Sequence, residues 1–218
     1  MGSIAFSWDL LDTSFIIDVR SEIEFDKGHI PGAVNIPILN TEERKIVGTT
    51  FKQVGQKHAI LKGLELTGPH LSKRLKQAVK LVENKENIVV HCWRGGMRSS
   101  FFAYLLEFFG LKVTIIKGGY KSYRQQVIKS FEVNYNFSIL GGMTGSGKTH
   151  ILHELDKKAI AIIDLEGLAN HRGSSFGALG RGKQPSQEQF ENNLSYQLIR
   201  TNKKNSWLED ESRTVGAR

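Results

Sequence analysis

Cys92 is the single cysteine of the chain, and it stands in Asn87-Ile-Val-Val-His-Cys-Trp-Arg-Gly-Gly-Met-Arg-Ser-Ser100. A short apolar run of strand type ends there in a loop rich in glycine and arginine, and a helical pattern follows. A thiol at that junction lies among backbone N–H groups and beside Arg94 and Arg98. A helix N-terminus and nearby cations both favour thiolate over thiol, and the thiolate is the nucleophile. The alternative is a small buried residue at a strand end, the usual place of a free cysteine. That alternative accounts for the cysteine but not for the glycines and arginines around it, so a reactive thiol is the expectation.

A second chemical site lies in Gly142-Met-Thr-Gly-Ser-Gly-Lys-Thr149, a complete G-x-x-x-x-G-K-T. Gly142, Gly145 and Gly147, with Ser146, let backbone N–H groups converge on a phosphate or diphosphate. Lys148 adds a point charge, and Thr149 offers a hydroxyl to Mg²⁺. Binding phosphate does not by itself establish hydrolysis. Asp164 at the next strand end, or Glu209-Asp210-Glu211, could assist a metal, and each reads equally well as an ordinary strand end.

These residues need elements to hold them. Phe15–Val19 and Ile88–His91 read as buried strands, with a further short strand after the turn Gly28-His-Ile-Pro-Gly-Ala33. Lys112–Lys117 completes a first group of strands. Ser21–Lys27, Arg98–Phe109 and Lys121–Phe131 read as helices, and residues 41–85 as mostly helical with a break near Gly63–Pro69. A second group follows: strand Phe137–Leu140, a helix to about Lys157, strand Ala159–Asp164, helix Gln187–Arg200 and strand Ser206–Glu209. Strands alternating with helices imply parallel α/β architecture in both groups. The expected units are 1–133 and 134–218. Three strands in the second leave a parallel sheet with an unpaired edge, so it reads as the N-terminal part of a larger domain.

Composition narrows the class. The 218 residues are 39% hydrophobic and 24% charged, ordinary for a globular protein with a true core. No apolar run approaches the ~20 residues needed to span a bilayer. The N-terminus has no basic region followed by an apolar stretch, so no secretory signal is read and a cytoplasmic location is expected. One cysteine excludes an internal disulfide framework and a cysteine metal cluster, and no metal-ligating set is expected in the protein. The net charge is +8. Residues 44–85 carry Arg44, Lys45, Lys52, Lys57, Lys62, Lys73, Arg74, Lys76, Lys80 and Lys85 against only Glu65 and Glu83. That stretch favours a polyanionic partner, nucleic acid first, over a merely solvated helical face.

Asp18-Val-Arg20 followed by Glu24-Phe-Asp-Lys-Gly-His-Ile-Pro-Gly-Ala-Val-Asn-Ile-Pro37 resembles the signature of rhodanese domains. The resemblance implies a small doubly wound parallel sheet with the catalytic cysteine after a central strand, where Cys92 stands. Asp18, Arg20 and His29 are expected to brace the structure. Sulfur carriers hold a persulfide on this cysteine, whereas related phosphatases use His-Cys-x5-Arg to grip a phosphoryl group. His91-Cys92 with Arg98 after five residues matches the longer spacing, which could also admit a phosphate-bearing sulfur or selenium donor. Loop length leaves that open.

The order of parts resembles tRNA 2-selenouridine synthases: a rhodanese domain, a basic helical insertion at about 44–85, then a P-loop. Supporting stretches are His91-Cys-Trp-Arg-Gly-Gly-Met-Arg-Ser99, Gly118-Gly-Tyr-Lys121, Asp164-Leu-Glu-Gly-Leu-Ala-Asn-His-Arg-Gly-Ser-Ser-Phe-Gly177, Gln184-Pro-Ser-Gln-Glu-Gln189 and Glu209-Asp-Glu-Ser-Arg213. The implied fold is α/β, a rhodanese-like doubly wound parallel sheet followed by an incomplete P-loop NTPase-like α/β unit, since members of that family continue well beyond the Glu-Ser-Arg stretch. The implied activity converts 2-thiouridine at the tRNA wobble position to 2-selenouridine through an S-geranyl-2-thiouridine intermediate. Selenophosphate and geranyl diphosphate would be co-substrates. Cys92 would be the selenium-handling nucleophile, with Arg94, Arg98 and the loop amides holding the donor. A selenophosphate-supplying enzyme is an implied partner. His171, Arg172, Ser174 and Ser175 could face the phosphate site or form an ordinary surface loop. Lys117, Lys121 and Arg124 would join the basic stretch on the tRNA backbone. Trp93 could stack on a base, but reads first as core. Two other readings stand beside this one: a rhodanese-type sulfurtransferase fused to an ATP- or GTP-hydrolysing domain, and a cysteine phosphatase.

Overall fold

The structure is a computed structural model and describes residues 2–143, 145–171, 182–201 and 205–210. The chain divides into two compact units, 1–125 and 126–218. In the first unit β1 (Gly2–Ile4), β2 (Phe15–Asp18), β3 (Val34–Asn35), β4 (Ile88–His91) and β5 (Val113–Ile116) form one wholly parallel sheet in the order β1-β5-β4-β2-β3. β4 is central, and its four residues are all buried. A parallel strand covered on both faces reads as a continuous apolar run, as Ile88-Val-Val does. β1 escapes sequence reading because its three residues are all exposed and it is an edge strand.

The short helices α1 (Leu10–Thr13) and α2 (Glu22–Lys27) flank β2. Next come α3 (Thr41–Gln53) and α4 (Gln56–Val82), then α5 (Met97–Glu107) and α6 (Gly119–Ser130), which follow β4 and β5. Asn40 caps α3, its side chain accepting from Glu43 N at 2.8 Å while the Glu43 carboxylate accepts from Asn40 N. The expected break near Gly63–Pro69 is absent: α4 runs unbroken through Gly63, Gly68 and Pro69. The break falls instead at Gly55, whose φ of 112° suits glycine. Proline within a helix removes one backbone donor and normally costs about 3 kcal/mol. Burial of Ala59, Thr67, Leu75, Ala78 and Val82 along one face carries the helix across it. Thr67 Oγ1 also donates to Ile38 O at 3.0 Å, pinning the suspect turn to the domain. The core gathers Ile17, Val19, Ile36, Leu75, Ala78, Val82, Val90, Phe102, Ala103, Leu106 and Ile115.

In the second unit β6 (Phe137–Leu140), β7 (Ile162–Ile163) and β8 (Ser206–Glu209) form a parallel sheet in the order β6-β8-β7. α7 (Lys148–Lys157), α8 (Leu165–Ala169) and α9 (Gln187–Arg200) accompany it. β7 is shorter than its apolar sequence suggests, because the chain turns at Ala159 with φ of 59° before pairing begins. Both sheets are parallel and flanked by helices, as the alternating pattern predicts. Among the described residues no helix is long and apolar enough to cross a membrane.

Candidate active site

β4 delivers Cys92 to the start of α5, and the loop between them wraps its backbone toward the sulfur. Gly96 N donates to Cys92 Sγ at 3.3 Å, and the Ser99 hydroxyl lies at 3.3 Å on the buried side. Ser99 Oγ also lies 2.9 Å from Gly96 O, so its one proton is shared between that carbonyl and the sulfur. Cys92 is itself buried. Burial opposes ionisation, but the hydrogen bonds from Ser99, the charge of Arg98 and the Gly96 N–H outweigh it, holding the thiol below its ordinary value. The thiol thus sits at the N-terminus of α5 with donors already in place around it.

The two arginines do different things. Arg98 turns from the loop to Glu24 of α2, with Nη1 on Oε2 at 2.7 Å and Nη2 on Oε1 at 3.1 Å. Arg44 Nε approaches the same carboxylate at 3.8 Å. Burial works against this carboxylate, yet hydrogen bonding and charge from Arg98 dominate, and the Glu24 pKa falls from its ordinary 4.5 to about 2. Arg98 therefore acts on Cys92 through its charge, while Nη1 and Nη2 hold the Glu24 carboxylate. Arg94 is exposed on the loop. Trp93 is not core, being 39% exposed with its ring 5.7 Å from that of Tyr120.

Beneath the loop, Asp18 and Arg20 form a wholly buried pair with Nη2–Oδ2 of 2.6 Å. Arg20 continues to Gly28 O at 2.7 Å and lies over the Tyr120 ring at 3.8 Å. Desolvation weighs on the Asp18 carboxylate, but neighbouring His91 and Arg20 hold it below the usual range. Burial pushes the His91 pKa below its ordinary value, and its Nε2 lies 3.7 Å from Asp18 Oδ2. His29 stacks on Phe25 with centroids 3.9 Å apart and its Nδ1 3.0 Å from Phe25 O. Asp18, Arg20 and His29 brace the structure, as expected.

Sequence reading assigns no role to the backing of the loop. Tyr120 N, at the start of α6, donates to Cys92 O at 2.9 Å, and Lys121 N donates to Trp93 O at 2.9 Å. Gly119 (φ 57°) lies so close that a Cβ there would run into Cys92 O and come within 2.9 Å of Arg94 N. Gly95 (φ 65°) stands likewise against Ile116 O. The Gly118-Gly119 pair is the available signal, since paired glycines just after a strand permit such an approach.

In the second unit β6 leads into the glycine loop, where Gly142, Gly145 and Gly147 adopt φ of 151°, 82° and 87°. Lys148 Nζ donates to Gly142 O at 3.0 Å, and Ser146 is exposed on the loop. Thr149 Oγ1 lies 3.2 Å from Glu209 Oε2 and 3.5 Å from Glu166 Oε2. Asp164 instead caps α8, accepting from Gly167 N at 2.7 Å, with His153 Nε2 3.6 Å from its other oxygen. Of the two acidic candidates it is thus Glu209, at the end of the central strand, that meets the P-loop threonine. Glu166 escapes sequence reading because the short helix α8 gives no periodic signal. His171 is buried next to the described segment's end; Arg172, Ser174, Ser175 and Glu211 lie outside the described residues. No group of three or more His, Cys, Asp and Glu side chains suited to a metal occurs among the described residues.

Backbone donors converging on a buried thiol behind the central strand of a parallel sheet mark a rhodanese-like domain, and the model of that family matches residues 7–126. The AAA-domain model of tRNA 2-selenouridine synthase matches residues 135–218. The chain belongs to the rhodanese-like family through its first unit, and its second is similar to the AAA domain of tRNA 2-selenouridine synthases. The chain is 41% identical over 209 residues to the tRNA 2-selenouridine synthase from Nitrosomonas europaea, covering 92% of this chain and 54% of the relative. The Pseudomonas putida protein is 39% identical over 215 residues, covering 95% and 57%. The chain thus spans a little over half the length of these curated relatives. The crystal structure of the N-terminal domain of a Clostridium difficile protein named for ATP/GTP binding is 39% identical, covering 58% of this chain and 99% of that one, with a TM-score of 0.55.

Proposed function

We propose that this chain supplies the thiol site and the phosphate-binding loop of an enzyme that converts tRNA 2-thiouridine to 2-selenouridine through an S-geranyl-2-thiouridine intermediate. The observation that carries the reading is the Cys92 sulfur, held by Gly96 N and the Ser99 hydroxyl at the start of α5. In the exchange, selenium bonds to C2 of the modified base and the geranyl thiol leaves. The phosphoryl group of selenophosphate departs to water as inorganic phosphate. The Cys92 thiolate attacks C2 and expels the geranyl thiol, the donor's selenium then displaces Cys92 from C2, and exposed Arg94 and the loop amides hold the donor's anionic group.

The glycine loop 142–149 binds the diphosphate of geranyl diphosphate in the alkylation half. The Thr149 hydroxyl with the Glu209 and Glu166 carboxylates makes an all-oxygen set that fits Mg²⁺. The bound cation would neutralise diphosphate charge there, while Thr149 and Glu209 hold its position. Exposed Lys45, Lys52, Lys57, Lys73, Lys76, Lys80 and Lys85 supply phosphate contacts for tRNA. The setting would be cytoplasmic, with the donor delivered by a selenophosphate-supplying enzyme. The test uses a full-length relative with tRNA bearing 2-thiouridine, geranyl diphosphate and selenophosphate. Selenated nucleoside that disappears on Cys92→Ser supports the reading. ATP hydrolysis without tRNA dependence, and no selenated product, would favour the sulfurtransferase–NTPase alternative.

A further inference from the structure

Beside the thiol loop runs a cavity of about 720 Å³, walled by α2, α3 and the first turn of α5. That volume falls within the ~300–1,000 Å³ usual for small-molecule sites. Its wall is chiefly apolar, from Ile23, Leu39, Val47, Phe51 and Met97. Its rim is cationic, from Arg44, Lys45 and Lys52. Ile23, Phe51 and Met97 are 62%, 53% and 56% exposed, a high exposure for large apolar side chains drawn together. Gly48 sits in the same wall, and the atom nearest a Cβ there is the mobile Arg44 Nη1.

The cavity reaches the reactive centre through shared residues. Met97 and Arg98 line it, and they directly follow Gly96, whose amide holds the sulfur. Glu24, the partner of Arg98, lines it too. An apolar trough with a basic lip suits one kind of occupant: an acyclic apolar chain carried on a polyanion. A free apolar molecule would leave Lys45 and Lys52 of the lip without counter-charge, and a bare nucleic-acid backbone would leave the trough wet.

We infer that this cavity receives the S-alkyl chain of the modified wobble nucleotide, with Arg44, Lys45 and Lys52 on the adjoining RNA phosphates, so that the chain's burial brings C2 of the base to the Cys92 loop. The inference rests on the tRNA reading above and adds a place and a purpose for the alkyl group. Alkylation then does more than create a leaving group. It supplies the handle by which the thiol site selects its substrate, because 2-thiouridine lacks the chain.

The experiment compares two anticodon stem-loop RNAs that differ only in 2-thiouridine or S-geranyl-2-thiouridine, binding each to the whole chain by fluorescence anisotropy. Burying the chain should favour the geranylated RNA by about tenfold or more. Ile23→Ser with Phe51→Ser removes apolar wall from exposed positions, and Gly48→Leu fills the trough. Circular dichroism confirms that each variant is folded. Both changes should reduce the preference to about threefold or less. A preference that survives both substitutions places the chain elsewhere and overturns the inference while leaving the tRNA reading intact. Equal binding of the two RNAs by the unaltered protein overturns the inference, while the S-alkyl reading stands or falls on the product test above.

Discussion

Arg98 and Glu24 face each other across two hydrogen bonds of 2.7 and 3.1 Å, joining the first turn of α5 to α2. Through this pair Arg98 ties the loop holding Cys92 to α2. Its influence on the sulfur is electrostatic.

Glu24→Gln should lower stability by about 1–3 kcal/mol at pH 7, as expected for breaking a charged, part-buried pair. Glu24 titrates near 2 in the folded chain against an ordinary 4.5. A depressed carboxyl contributes stability in full above the higher value, and loses it as pH falls toward the lower. Urea unfolding at pH 7 and pH 3 should therefore show the gap between variant and parent narrowing at pH 3.

Ser99→Ala should shift the alkylation of Cys92 to higher pH. The hydroxyl is the leading influence opposing burial. Iodoacetamide labelling across a pH series, followed by mass spectrometry, reads the midpoint directly. An unchanged midpoint would show that Gly96 N and Arg98 suffice without it.

Gly119→Ala should be more damaging than Gly110→Ala. Both glycines have positive φ, 57° and 76°, so both substitutions strain the backbone by about 1 kcal/mol. Only at Gly119 would the new methyl strike Cys92 O, whereas Gly110 has open space. Thermal unfolding should separate the two, and equal melting temperatures would mean that the loop yields freely.

Lys148→Ala should weaken pyrophosphate binding at least about tenfold, through removal of one charge-assisted hydrogen bond. Glu209→Gln should remove most of the benefit of added Mg²⁺. Asp164→Ala should instead cost about 1 kcal/mol as the helix cap disappears, leaving affinity in place. Titration calorimetry with and without Mg²⁺ distinguishes these. Loss of binding in Asp164→Ala would assign the metal role to the capping carboxylate.

Replacing Lys57, Lys73, Lys76 and Lys80 with alanine should flatten the salt dependence of tRNA binding. Every lysine that neutralises a phosphate should, on removal, reduce the slope of log K against log salt by roughly 0.7–0.9. Arg74 makes a poorer probe, since it is tied to Glu43 at 3.2 Å and to Ile38 O at 2.5 Å.

Local chemistry is legible in the sequence, and distant packing is not. The apolar run before Cys92 and the glycines before Lys148 announce a strand, a loop and a helix within a short stretch of chain. Asp18, Arg20 and His29 likewise stand where the motif places them, as braces. The helix break shifts from its expected position because Gly63 and Pro69 are local signals, whereas burial of Thr67, Leu75 and Ala78 keeps α4 continuous through tertiary contacts. Trp93 departs from the core expectation because hydrophobicity says nothing of which way a loop side chain turns. The cavity beside Cys92 draws its walls from α2, α3 and α5, far apart in sequence, and no local pattern encodes it.

The anchoring of Cys92 O and Trp93 O to the first amides of α6, with Gly95 and Gly119 already packed against backbone, has a consequence for how this site can diversify. The loop is a fixed aperture. Widening it would break the bonds of Cys92 O and Trp93 O to α6, and any side chain in place of Gly95 or Gly119 would meet backbone. Selectivity among substrates must then be tuned by the side chains standing around the opening, while the opening itself stays one size.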